Sequence, residues 1–172
     1  LSMLSISKNN IGADGAKVLA DVIPASKVGT LVIGNGVEIS TRGTDAATLD
    51  FSNKGFGPGE LVLISSLVIP FSPALTTITL DGQPITGPKY KYGDKKCGVE
   101  EYDCDLSGLV ALLEAMKSSA VSKLSISDCD VGPKGLMTSA PLISVIPAMT
   151  EIRLDSNPIT AVSYTHLRAH ET

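Results

Sequence analysis

The sequence predicts an α/β repeat fold in which short strands alternate with helices. Three observations predict it: a motif of alternating apolar residues recurs along the chain, the spacing between copies is nearly constant, and helical apolar patterns follow the copies. The 172 residues include 43% hydrophobic and 19% charged residues, which is an ordinary globular balance. We therefore expect one repeat domain of α/β class with a continuous core.

The first copy of the motif begins at Leu4 and reads Leu-Ser-Ile-Ser-Lys-Asn-Asn-Ile-Gly. Alternation of Leu4 and Ile6 predicts a strand with one side in the core, because strand side chains alternate between faces. Asn9 follows where the strand must turn, and its amide can bond backbone groups that the turn leaves unpaired. After Gly12, apolar residues recur three and four positions apart, which predicts a helix; they are Ala16, Leu19, Ala20 and Ile23. Each unit is expected to run strand, turn, helix.

Further copies of the motif keep the same alternation. Full copies begin at Ile78, Leu124 and Ile152, and they carry Gln83, Cys129 and Asn157 at the turn position. A fifth copy begins at Leu49 with Lys54 at that position, and a degenerate sixth begins at Leu31. A second helix is predicted from the spacing of Leu106, Leu109, Leu112, Leu113 and Met116. Leu49 and Ile78 lie 29 residues apart, and Leu124 and Ile152 lie 28 apart. The copies together predict about five to six irregular repeats.

The array is irregular in two places. Only 18 residues separate Leu31 from Leu49, too few for a helix and both of its connections, so we expect no helix there. Glycines alternate in that segment with extended-chain residues, which indicates a hairpin; the residues are Gly34, Gly36, Val37, Ile39, Thr41 and Gly43. Between Ile78 and Leu124 the spacing is 46 residues. The excess maps to a polar insertion at 88–104, which is expected to project as a loop.

The insertion mixes basic and aromatic residues, as single-strand nucleic-acid sites do; they are Lys89, Tyr90, Lys91, Tyr92, Lys95 and Lys96. Acidic residues close by favour a solvated or protein-contacting loop instead. The insertion also contains Cys97 and Cys104, which could pair with each other, although two free thiols are the favoured interpretation.

The segment 161–172 breaks the repeat pattern and is expected to be a tail that is not native. The chain also opens inside a repeat without a polar cap, so the repeats at 1–160 are expected to be a fragment of a longer protein. His166 and His170, the only histidines, lie in that tail. Nucleophile activation by histidine and histidine-containing metal sites are therefore excluded for the repeat body.

The template Leu-x-Leu-x-x-Asn/Cys-x-Ile, with glycine and an amphipathic helix behind it, resembles the ribonuclease-inhibitor-like class of leucine-rich repeat proteins. The resemblance covers nearly all of 1–160. It implies a solenoid in the form of a horseshoe arc, with parallel strands on the concave face and helices on the convex face. It also implies a non-catalytic protein–protein interaction module.

The outward positions of the predicted strands form the expected partner-binding surface on the concave face. They are Ser5, Ser7, Asp50, Ser52, Thr79, Asp81, Ser125, Ser127, Arg153 and Asp155. Asp50, Asp81, Asp128 and Asp155 recur along it, either as an acidic stripe for a basic protein patch or as a solvated strand face, with Lys8 and Arg153 as interruptions. No catalytic, cofactor-binding or metal-binding residue is predicted.

The expected partner is a protein. A net charge of −4 argues against nucleic acid, and the longest apolar stretches are too short to span a membrane. Three cysteines without a paired motif favour a reducing, cytoplasmic location. Two alternatives remain open: a GTPase-activating protein of the Ran-activator type, and the sensor part of a larger regulatory protein.

Overall fold

The structure is a computed structural model and describes residues 1–160; the predicted tail at 161–172, with both histidines, lies outside the described residues. The strands are β1 (Met3–Ser5), β2 (Thr30–Ile33), β3 (Val37–Ser40), β4 (Thr48–Asp50), β5 (Thr77–Thr79), β6 (Lys89–Tyr90), β7 (Val99–Glu101), β8 (Lys123–Ser125) and β9 (Glu151–Arg153). The helices are α1 (Ala13–Val22), α2 (Pro58–Leu67), α3 (Ser107–Met116) and α4 (Pro133–Ile143). Both helices predicted from apolar spacing are confirmed, as α1 and α3.

Two parallel arrangements account for the six copies of the motif. In the first sheet β1 pairs in parallel with β2, and in the second sheet β4, β5, β8 and β9 pair in parallel in that order. The register joins equivalent motif positions, so that Leu49 lies beside Ile78 and Leu124 beside Ile152. This register confirms that the copies are structural equivalents.

The hairpin expected between Leu31 and Leu49 is confirmed. β3 returns antiparallel to β2, with Thr30 opposite Ser40 and Ile33 opposite Val37. No helix lies between β2 and β4. Gly34 turns the chain with a φ of 51°, and a Cβ there would lie 2.5 Å from the carbonyl oxygen of Lys54. The close approach of the two turns therefore requires glycine.

The strand-to-helix turns share one backbone conformation. The turn position, which Asn9 occupies in the first copy, we also call the Asn-type position. The residue just before it has a left-handed φ of 57° at Lys8, 57° at Asn53, 52° at Asp128 and 58° at Ser156. Three of these residues donate their backbone N–H to the carbonyl of the next unit: Lys8 to Gly34, Asn53 to Asp81, and Asp128 to Asp155. The unusual conformation thus extends the hydrogen bonding between units past the strand ends.

The helices pack side by side on the inner face of the strands, and one core runs through the described residues. Inward strand residues such as Leu31, Ile78 and Leu124 are buried against helix residues such as Leu63 and Leu112. None of the helices within 1–160 is long and apolar enough to cross a bilayer.

The insertion is exposed at residues 91–98, as expected of a projecting loop, but it also contains regular structure that the sequence did not predict. It forms a two-stranded hairpin of β6 and β7, and its base is fixed to the neighbouring unit. Asp103 is 2% exposed and accepts hydrogen bonds from the backbone of Gly132 at 2.9 Å and Gly135 at 2.8 Å, at the start of α4. The physical reason is that the first amides of α4 lack partners within the helix and the carboxylate supplies one.

Candidate binding face

The outward side chains of the second sheet form a continuous polar surface, which we call the strand face. It consists of the alternate residues of β4, β5, β8 and β9 that point away from the core, and of the residues two positions further on in the turns. Inward residues of the same strands, such as Ile78 and Leu124, are buried, and so are Leu80 and Ile126 directly after them. The alternation that buries one side therefore leaves the other available to a partner.

The ten predicted residues are all exposed or half-buried, and they fall on both sheets. Ser5 lies on β1 of the first sheet and Ser7 in the turn that follows it, and their hydroxyl oxygens are 3.3 Å apart. The remaining eight belong to the second sheet and its turns: Asp50, Ser52, Thr79, Asp81, Ser125, Ser127, Arg153 and Asp155. The structure thus brings eight of the predicted residues onto the strand face and leaves two apart from it.

A shallow depression of about 280 Å³ lies at the centre of the strand face, across β5, β8 and β9. Four predicted residues line it: Thr79, Asp81, Ser125 and Arg153. Polar residues that the sequence analysis missed line it as well: Thr77, Lys123 and Glu151. These three precede the first apolar residue of their motif, so the template contained no position for them, although strand alternation extended by one step would have found them.

Asp81 fixes one wall of the depression. Its Oδ1 accepts hydrogen bonds from Ser125 Oγ at 2.7 Å and from the backbone N–H of Ser127 at 2.8 Å. The carboxylate therefore connects β8 to the turn that follows β5. This fixed carboxylate can accept further hydrogen bonds from a ligand through its other oxygen.

The other wall carries charges of both signs. Glu151 lies 2.9 Å from Arg153 Nε and 3.5 Å from Lys123 Nζ. The Arg153 guanidinium and the Lys123 ammonium hold the pKa of Glu151 below its usual range. The guanidinium also has further N–H groups besides Nε that can reach a ligand. The centre of the strand face is therefore of mixed charge, and Lys123 interrupts the predicted acidic stripe together with Arg153.

Further acidic side chains lie around the margin of the strand face. Asp50 is exposed, and hydrogen bonds from the Ser52 hydroxyl and backbone lower the pKa of its carboxyl. Asp128 and Asp155 are exposed on the turns beyond β8 and β9. Acidic side chains thus lie around the margin of the surface, while the centre carries side chains of both charges.

The Asn-type turn position supports the strand face from behind. Asn157 Oδ1 accepts from the backbone N–H of Cys129 at 2.9 Å and Val131 at 3.1 Å, and its Nδ2 donates to the Ile126 carbonyl at 2.7 Å. Gln83 joins the unit of β5 to the unit of β4 in the same way, because its Nε2 donates to the Phe51 carbonyl at 2.8 Å. These contacts confirm the predicted role of the turn position.

Cys129 fills the same position with a thiol that donates to the Leu80 carbonyl at 3.2 Å. Burial raises the pKa of Cys129 to about 12, so the group is a neutral donor at physiological pH. Cys97 and Cys104 are free and exposed. Within 1–160, no group of three or more His, Cys, Asp or Glu residues is placed to hold a metal ion.

Comparison with known proteins supports the repeat assignment in two segments. A family model described as Leucine Rich repeat matches residues 1–20 and residues 118–138. These segments contain β1 with most of α1, and β8 with the start of α4. No curated protein matches the chain. The two matches support a leucine-rich repeat protein, and such domains generally mediate protein–protein interaction and are typically non-catalytic.

Proposed function

We propose that this chain is a non-catalytic protein-binding module that recognises a partner through the strand face. In this proposal residues 1–160 are one leucine-rich repeat domain of the ribonuclease-inhibitor-like class, a short arc with its strands on the concave side. The observation that carries the proposal is the central depression, where Asp81, Lys123, Glu151 and Arg153 surround Thr79 and Ser125.

The chemistry of the depression suits a protein surface that contributes both donors and acceptors. Ser125 and Asp81 are held by hydrogen bonds within the sheet, so little ordering of these side chains is needed on binding. The Arg153 side chain is 65% exposed, and only its Nε contacts Glu151. The other N–H groups of its planar guanidinium can therefore donate to a carboxylate or carbonyl of the partner. Arginine is among the residues that contribute most energy at protein interfaces.

The same proposal places the protein in a reducing, cytoplasmic compartment. Cys97 and Cys104 are exposed and free, as expected where thiols stay reduced. Immunofluorescence of the epitope-tagged full-length protein tests this point, and a secretory pattern would contradict it.

The experiment is a quantitative comparison of captured proteins by isotope-labelled mass spectrometry. Three forms of the protein serve as bait: the wild type, Thr79→Arg and Arg153→Ala. Thr79→Arg places a long charged side chain in the centre of the depression, and Arg153→Ala removes the exposed guanidinium. We expect one set of proteins to be retained by the wild type and lost from both variants, by about tenfold or more for a central contact.

A matched control places the same bulk on the helix side. Ser66 is exposed on α2, so Ser66→Arg adds an arginine far from the strand face without burying it. Circular dichroism verifies that all variants fold. If Ser66→Arg loses the partner and Thr79→Arg retains it, binding occurs on the helix side and the proposal is wrong.

A further inference from the structure

The insertion hairpin is a second exposed structure that the strand face does not include, and its base is held firmly. Besides the Asp103 contacts with α4, Tyr90 donates its hydroxyl hydrogen to Asp130 Oδ2 at 2.9 Å. Burial and the nearby Asp130 carboxylate raise the pKa of Tyr90, so its hydroxyl remains a donor. The tip of the hairpin is therefore presented by an anchored base, which reduces the ordering that binding would require.

The tip, residues 91–97, concentrates basic charge on an acidic chain. It contains three lysines and one aspartate, whereas the whole chain has a net charge of −4. Asp94 is engaged within the tip, since its Oδ1 accepts from the backbone N–H of Lys96 at 2.9 Å. Lys95 lies 3.9 Å from Asp130, but Lys91 and Lys96 have no acidic partner within 4 Å among residues 1–160.

Tyr92 follows Lys91 directly in the chain, precedes Lys96 by four residues and is 97% exposed. Its φ of 54° lies in the left-handed region, where a non-glycine residue costs free energy. Aromatic side chains combine apolar area with a polar end and are enriched where proteins meet. A fully exposed tyrosine flanked by free lysines fits a contact with another molecule.

We infer that this tip is an interaction surface for an acidic segment of a protein. Carboxylates of the segment pair with Lys91 and Lys96, and an apolar side chain of the segment contacts the Tyr92 ring. An extended polyanion such as nucleic acid fits less well, because the basic residues of this surface are confined to 91–97 and Glu100 and Glu101 on β7 follow them closely. The basic surface is therefore long enough for a short acidic segment but not for a continuous row of phosphates. The surface is independent of the strand face.

The test measures fluorescence anisotropy at low ionic strength with two labelled probes: a pentapeptide of four glutamates around a central leucine, and an eight-nucleotide oligothymidylate. We expect the wild type to bind the peptide more tightly than the oligonucleotide. The double variant Lys91→Ala/Lys96→Ala weakens peptide binding by about fivefold, as expected for two exposed ion pairs, and Tyr92→Ser weakens it by a smaller factor.

The matched control is Lys17→Ala/Lys27→Ala, which removes the same charge from exposed positions away from the insertion. It should change peptide binding by less than about twofold. Three results would overturn the inference: no binding of the peptide by the wild type, equal weakening by the two double variants, or tighter binding of the oligonucleotide. Thr79→Arg should leave peptide binding intact, so a failure of the strand-face proposal remains distinguishable.

Discussion

The two sheets of this protein are built from the same motif but differ in how their units are joined. In the second sheet each strand is parallel to the next, and the connection from one to the next contains a helix. In the first sheet β2 is followed by the antiparallel strand β3, and the connection to β4 has no helix. Nevertheless α1 packs directly on α2. The helix layer can therefore stay continuous where the strand layer changes, because close packing between helices replaces the missing unit.

The largest expected effect comes from disturbing that helix contact. A Cβ on Gly59 at the start of α2 would lie 1.9 Å from the carbonyl oxygen of Ile11, a backbone atom that cannot move alone. We expect Gly59→Ala to lower the free energy of unfolding by about 3 kcal/mol through overpacking, measured by urea denaturation. Gly12→Ala is the control, because no atom lies within 4 Å of its Cβ position. Equal stability of the two variants would show that α1 and α2 are not in close contact.

The next largest effect concerns the contact between the insertion and α4. Asp103→Ala removes the carboxylate that accepts from Gly132 and Gly135, and we expect a loss of about 2 kcal/mol, as for an N-cap. Asp94→Ala removes an acid from the exposed tip and should cost less than about 0.5 kcal/mol. Thermal denaturation of both variants measures the difference. An equal effect of the two substitutions is incompatible with a fixed hairpin base.

The turn position gives a smaller and more direct comparison of the two sheets. Asn157 bonds backbone groups of the preceding unit, whereas Asn9 bonds only the carbonyls of Ile6 and Ser7 in its own turn. We expect Asn157→Ala to cost about 1.5 kcal/mol, because it leaves amides unpaired, and Asn9→Ala about 0.5 kcal/mol. Paired urea denaturation curves measure both. The reverse order would contradict a role for this position in joining units.

The smallest effect is a pH dependence at the helix contact. Burial raises the pKa of Glu60 above its usual 4.5. In the window from 4.5 up to the raised value the folded state binds more protons than the unfolded state, so the contribution of this group to stability falls as pH rises. We expect the wild type to gain stability relative to Glu60→Gln when the pH is lowered from 7 to 4.5. The measurement is urea denaturation across this range.

Glu101→Gln is the control in the insertion, where the contact with Lys89 lowers the pKa of Glu101. Its contribution to stability is present above 4.5 and is lost as the pH falls through the lowered value. The wild type should therefore lose stability relative to Glu101→Gln on acidification below 4.5. Two slopes of the same sign would contradict the assignment of Glu60 as the buried carboxyl.

Much of this fold could be predicted from local patterns in the sequence. The alternation of Leu4 with Ile6 fixed a strand, and its repetition at Leu124 with Ile126 fixed an equivalent one. Apolar residues three and four apart predicted α1 and α3. Even the hairpin after Leu31 followed from spacing, because 18 residues cannot hold a helix with its connections. Each of these signals lies within one unit of the chain.

What could not be predicted depends on contacts between distant parts of the chain. The carboxylate of Asp103 caps a helix that starts 30 residues later, and no local pattern identifies that partner. Lys123 and Glu151 line the depression from the first position of their strands, which lies one residue before the start of the motif. The charge of the strand face therefore became clear only when neighbouring strands were placed in register.

The Asn-type residue of the turns also affects which substitutions such a chain can tolerate during evolution. Gln83, Cys129 and Asn157 all reach the preceding unit through its main-chain groups alone. Main-chain groups are the same in every unit, whatever side chains surround them. The hydrogen bonds at this position would therefore form beside a duplicated unit whatever its side chains are. Changes in the side chains around a turn therefore leave these hydrogen bonds between units intact.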